Sequence, residues 1–386
     1  MDELQQVREA VNPDRLVDTA VKLIEIPSPT RSAAKAAQCL SDILVADGFE
    51  VERPTAGWPD SPAVVCRWKT GEPGRTIQFS GHLDTVHLPF IEPRIENGML
   101  YGSGCSDMKG GVAAMVEALR VLRETRLLPR GDVLITCYDL HEAPWGDGSQ
   151  VDHVISSGFL GDAVLIPEYV YDRLPVAGRG LAVITTKISR SGEPVHEVLG
   201  GIDQPNVVYA AAEVLRRFSQ LDDQLRDKTH PIAGRESIFC GKAYGGEIFN
   251  QSPTSFVLEG TRRWLADTSH QDVESQYRQI LAEVSAQTGT TIDGEFHFCR
   301  DAYELDQQHP FLASFQKAHE AVTGQALPVG AKPVVDDGNA FVRDGHVQAI
   351  THGPNATGAH TLDEECPISE LVRVAEVYAL TAIDFC

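Results

Sequence analysis

Positive charge is scarce in this 386-residue sequence: 33 lysines and arginines face 55 aspartates and glutamates, for a formal net charge of −22. Binding nucleic acid requires a cationic face, so this balance argues against that class and against docking on anionic membranes. Long apolar runs are missing as well. No stretch approaches a membrane span, and the start, MDELQQVREAVNPDRL, is polar and amphipathic, without the apolar segment of a secretory leader. The eight cysteines are scattered with no C-x-x-C pair, so no zinc-finger spacing exists, and the chain is not a small disulfide-stapled scaffold. Internal repeats and low-complexity tracts are absent too. Together these absences predict a reduced, cytoplasmic protein with neither nucleic-acid nor membrane partners.

What is present has the balance of a soluble globular chain, 42% hydrophobic and 23% charged, and the length suits two domains or three. Helical patterns (DRLVDTAVKLIEI, and SAAKAAQCLSDILVADG closing on Gly48) precede apolar strands (PAVVCRW, TIQFS, DVLITCY and AVLI at 163–166). Between them KGGVAAMVEALRVLRE carries Val112, Met115, Leu119 and Leu122 on one face, as a helix lying on a sheet should. Strands alternating with helices predict an α/β layer structure. After VAGRG (176–180) the texture changes. Strand 181–188, helix 205–218, strands 236–243 and 255–263, helix 270–287 and strand 291–299 follow the β-α-β-β-α-β order of a ferredoxin-like unit. The α/β pattern then returns with helix 310–323, strand VQAIT and a last helix from Pro367. The reading is therefore an α/β class chain. An α/β/α catalytic domain (1–179 and 300–386) carries an inserted ferredoxin-like lid or dimerisation domain (180–299).

Polar residues gather at the carboxyl ends of the apolar strands, where open α/β sheets place their sites. TIQFS runs into His82 and Asp84, and DVLITCY into His141 and Glu142. AVLI runs into Glu168, and VQAIT into the loop holding His360, while Asp107 precedes the helix at 110. Taken singly, Asp107 reads as a helix cap, Glu168 as a loop acid and His360 as a surface histidine. As a set, His, Asp, Glu, Glu and His around one crevice suit two borderline cations such as zinc, with a carboxylate between them.

GHLDTV, GSGCSDMKGG, SGEPVH, GGEIFNQSP, LEGTRRW and GAHTLDE, in this order over roughly residues 80–365, resemble the co-catalytic dinuclear zinc peptidase and deacylase family. Acetylornithine deacetylase, succinyl-diaminopimelate desuccinylase and glutamate carboxypeptidase belong to it. The resemblance implies that His82 binds one metal and Asp84 orients it, that Asp107 bridges, that Glu168 completes the first site and that His360 belongs to the second. It implies two divalent ions, zinc first, with cobalt or manganese as alternatives. It also implies a lid that dimerises, whose His196 stabilises the oxyanion, while Asn250 and Arg263 hold a substrate carboxylate.

One stretch departs from the family. Relatives carry two adjacent acids, a general base and then a metal ligand, where DLHEAPWGDG offers His141-Glu142 followed by Ala143. In one register Glu142 is the ligand and His141 stands in the base position, or itself binds metal. In the other, Glu142 is the base, Ala143 cannot ligate, and Asp147 would have to compensate. The first register keeps every metal ligand and is the expectation carried forward. IPEYV is a smaller departure, since relatives usually place proline after this acid. The implied activity is hydrolysis of a small carboxylate-bearing amide, such as an N-acyl amino acid. The alternatives are a dipeptidase or carboxypeptidase, and a non-hydrolytic lyase or metal-binding relative.

Overall fold

The apolar runs become the middle of a six-stranded sheet in the computed structural model, which describes residues 2–386. Its strand order is Val51–Glu52, Val64–Lys69, Asp132–Tyr138, Thr76–His82, Ala163–Ile166 and Gln348–Thr351. The first two pairings are antiparallel and the other three parallel. Strands in the centre of such a sheet are covered on both faces, so they read as unbroken apolar runs rather than as an alternation. Ala163–Ile166 is buried at every residue, as is Asp132–Tyr138 after its first.

The helix Lys109–Thr125 is buried from Lys109 to Leu122, packed between the sheet and the helices Pro13–Ile24 and Ile368–Phe385. Its two opening glycines are required by contact. A Cβ on Gly111 would lie 2.4 Å from the Pro167 carbonyl oxygen, and one on Gly110 would lie 2.4 Å from that of Cys105. The helix N-terminus thereby closes on the strand end that carries Glu168. Asn12 caps Pro13–Ile24 by accepting from Arg15 N, with Pro13 at the first helical position.

The chain divides into two units: residues up to Val176 with Leu305–Lys332 and Asp336–Cys386, and Ala177–Glu304 with Pro333–Val335. The second unit is an inserted domain of ferredoxin-like topology. Its four-stranded antiparallel sheet has the order Ser237–Gly245, Ser255–Trp264, Gly180–Ser189, Thr291–Arg300. Gly180–Ser189 alternates buried with more exposed residues along its length, because one face packs on the helices Val207–Leu225 and His270–Thr288. Pro205 falls just before its helix rather than in it, because Asn206 takes the cap and accepts from Val208 N and Tyr209 N. Three helices were not expected from the sequence: Glu3–Ala10, Ser149–Ser156 and Asp337–Arg343. Among the described residues no helix is long and apolar enough to cross a membrane.

Candidate active site

The strand Thr76–His82 ends on His82, whose ring is fully buried. Its Nδ1 lies 3.0 Å from the Asp84 backbone carbonyl, an acceptor that in the neutral ring holds the proton there and leaves the lone pair on Nε2. Nε2 lies 3.1 Å from Asp107 Oδ1 and 3.4 Å from Glu168 Oε1. The other Asp107 oxygen, Oδ2, is 3.3 Å from His360 Nε2, which in turn is 3.0 Å from Glu142 Oε2. Asp107 therefore offers one oxygen to each of two donor groups: His82 with Glu168, and His360 with Glu142. All five side chains come together in the first unit.

The loops holding these donors are tied by buried carboxylates. Glu364 accepts from Gly104 N at 3.0 Å, Ser106 N at 3.2 Å and Ser106 Oγ at 2.8 Å, which fixes the turn that delivers Asp107. The Asp84 carboxylate stands 3.6 Å from His82 Nδ1, and its shortest contacts are with the amides of His141 and Glu142, each donating at 3.1 Å. Asp84 thus flanks His82 and also sets the bend at 141–142.

His141 lies face to face with His82, ring centroids 3.9 Å apart and planes 1° from parallel. Its Nδ1 is 2.7 Å from Asp337 Oδ2, and its Nε2 is 3.7 Å from Glu168 Oε1. Two sets have ligand atoms close enough to hold a cation: His82 with His141 and Glu168, and His82 with Asp107 and Glu142. Asp147 lies outside both sets; it is exposed and accepts from Ser149 N.

The cluster draws positive charge. Burial opposes a proton on His82, yet Asp107 and Glu168 outweigh it and raise its pKa well above the ordinary range. At His141 burial again opposes the charge, and Asp337 overrides it, raising the pKa to about 9. Hydrogen bonds to Asp107 and Glu142 raise His360 to about 10. Burial and the neighbouring Asp107 push Glu168 up to about 7. Burial would raise Asp107 too, but its bonds to His360 and His82 win and hold it below the usual carboxylate range. Mixed imidazole and carboxylate donors with a shared carboxylate at the centre fit two divalent cations, whose binding would displace those protons.

Within the second unit, the Asn250 side-chain amide lies 2.9 Å from His196 Nε2 on paired strand ends. Arg263 sits near the far end of the strand Ser255–Trp264. The eight residue steps from Ser255 to Arg263 span about 26 Å at the usual rise of a strand. His196 and Asn250 are therefore together, and Arg263 is apart from them.

Asp337 and Glu364 escaped the sequence reading as functional residues. The adjacent acids Asp336-Asp337 ahead of a glycine were the available signal, but nothing local relates them to His141.

The sequence profile of peptidase family M20/M25/M40 matches residues 78–384. Among solved structures, the aminopeptidase PepT of Bacillus cereus superposes with a TM-score of 0.82 at 18% identity, covering 97% of this chain and 99% of that one. A family M20 metallo-carboxypeptidase of Sulfolobus solfataricus gives 0.79 at 13% identity, covering 100% and 99%. A dinuclear metal-binding M20 peptidase of Bacillus subtilis gives 0.69 at 15% identity, covering 96% and 97%.

Proposed function

The chain belongs to peptidase family M20/M25/M40 and is a metallohydrolase of peptide or amide bonds, and we propose that it cleaves small amides bearing a free carboxylate, such as N-acyl amino acids. The observation that carries this reading is the split of Asp107 between two donor pairs, His82 with Glu168 and His360 with Glu142. These five residues would hold two divalent ions, zinc suiting the nitrogen–oxygen donor mix, with cobalt or manganese as alternatives. Bound there, the ions would polarise the amide carbonyl and acidify a water.

His141 is the general base in this reading, in place of the acid usual in relatives. Ring lone pairs lie in the ring plane, and the parallel stack of His141 on His82 keeps their two planes apart. With their lone pairs directed along two separate parallel planes, the two imidazoles are poorly arranged to share one ligand position. The stack thus favours His141 as a neighbour of the first ion over a ligand sharing it. Its Nε2 takes a proton from water as the water oxygen bonds to the amide carbon. It then passes that proton to the nitrogen as the C–N bond breaks, yielding a carboxylic acid and an amine. The remaining hydroxyl proton is exchanged in water to leave a carboxylate and an ammonium. Glu142, 3.0 Å from His360, is the ligand, and Ala143 needs no substitute.

The lid supplies His196 to the oxyanion and Asn250 and Arg263 to the substrate carboxylate. A small substrate cannot reach both ends of one lid strand about 26 Å apart, so these groups act from two copies of the chain. An exposed apolar patch near His196, including Leu199, Ile202, Tyr209 and the fully exposed Phe249, supports a homodimer through the lid. Eight free cysteines support a reduced, cytoplasmic setting.

A second reading, a dipeptidase or carboxypeptidase, draws support from the metallo-carboxypeptidase neighbour above. Purified protein with zinc, cobalt or manganese should release amine from N-acyl amino acids or dipeptides, and lose that activity when the substrate carboxylate is methylated. Absence of metal-dependent amine release across such a panel would refute the proposal. Amine release from dipeptides alone would select the second reading.

A further inference from the structure

The geometry points to Asp337 as the positioning residue of His141: its carboxylate holds the His141 proton on Nδ1 and so aims the Nε2 lone pair at the reacting centre. This rests on the reading of His141 as base. The Oδ2 to Nδ1 distance of 2.7 Å is that of a strong, charge-assisted hydrogen bond. Asp337 is 3% exposed and His141 lies with its ring against His82, so water competes little for this bond. A neutral imidazole has one proton to place, and a carboxylate at Nδ1 decides where it goes. With the proton on Nδ1, Nε2 must carry the lone pair, and Nε2 is the atom facing Glu168 at 3.7 Å.

The frame behind Asp337 is built to hold it still. Asp337 opens the helix Asp337–Arg343, and Asp336 caps that helix, accepting from Gly338 N at 2.7 Å while its own N–H donates to the Asn339 side chain. Lys332, fully enclosed, is paired with the same Asp336. A buried, capped and ion-paired turn therefore delivers the Asp337 carboxylate to His141 Nδ1, with the Tyr138 hydroxyl as a further partner. The ordinary base of the family, a carboxylate, has no tautomer to choose. A histidine in its place does, and a wrong choice leaves a proton where the lone pair is needed.

The test is made on the zinc-loaded enzyme, with ¹⁵N-labelled histidine and the His141 signals identified by their loss in His141→Gln. The proposal predicts that neutral His141 in the unaltered protein is protonated on Nδ1. Asp337→Asn, whose amide can donate to Nδ1, should move the proton to Nε2 and lower kcat by about 10²–10⁴-fold, as loss of a correctly protonated base does. KM and the zinc content should stay unchanged. Adding Asp337→Asn to His141→Gln should then cost nothing further. A wild-type ring protonated on Nε2, an unmoved tautomer in Asp337→Asn, or additive losses in the double variant would overturn the assignment. Those results would leave the base reading standing. By contrast, a zinc-coordinated Nε2, or full activity in His141→Gln, would remove the base reading itself.

Discussion

Replacing Asp84 by alanine removes a carboxylate that ties the strand end at His82 to the backbone of the bend at His141-Glu142. Asp84 is fully buried and accepts from two amides, His141 N and Glu142 N, each at 3.1 Å. A hydrogen bond to a charged group contributes about 1.5–3 kcal/mol net, so losing both should cost about 3–6 kcal/mol. That is a large share of the roughly 5–15 kcal/mol that holds a typical domain folded. Asp84→Asn keeps one acceptor oxygen and should lose about half as much. Urea unfolding followed by fluorescence, on both variants and the parent, measures the difference. In whatever Asp84→Ala remains folded, residues 141 and 142 are no longer held in place. A displacement of about 1 Å in a catalytic group costs about 10²-fold in rate, so kcat should fall at least that far. An Asp84→Ala protein within about 0.5 kcal/mol of the parent and with unchanged kcat would refute the claim that Asp84 sets this bend.

Two further outcomes follow from the geometry. Arg263 is half-buried, which lowers its pKa, and the proposed contact to a substrate carboxylate would use its guanidinium fork. Arg263→Ala should raise KM for carboxylate-bearing substrates by about 10–150-fold with little change in kcat, as removal of a charged hydrogen bond predicts; an equal loss on carboxylate-methylated substrates would contradict this. His352 is buried against Tyr171, His319 and Arg373, and burial holds its pKa well below the ordinary 6.5. The unfolded chain then binds the proton more readily than the folded one. Stability is complete above pH 6.5 and declines as pH falls below it. Urea unfolding between pH 5 and 7.5 should show a shallower acid decline in His352→Gln than in the parent; parallel curves would contradict the assignment.

The architecture was legible where burial is two-sided. DVLITCY and AVLI are unbroken apolar runs because sheet neighbours and helices cover both faces, and both strands lie at their expected positions. The clustering of His82, Asp107, Glu142, Glu168 and His360 was legible because most of them follow the ends of neighbouring parallel strands. The helix Asp337–Arg343 was not legible, being seven residues long with Gly338 and Asn339 in its first turn, both poor helix formers. It forms because Asp336 caps it and tertiary packing buries it, and neither has a periodic signature. The link between His141 and Asp337, 196 positions apart, exists only in the fold. The double duty of Asp84 was hidden for the same reason. A side chain two residues from His82 suggests a partner for that ring, and only the folded bend brings the 141–142 amides to its carboxylate.

The most direct test of the dinuclear site with a histidine base counts divalent ions per chain in the native protein, in His141→Ala and in Glu142→Ala. The account predicts two, two and one, with kcat reduced by about 10²–10⁴-fold in His141→Ala. One ion in the native protein, or the loss of an ion on removing His141, would contradict it.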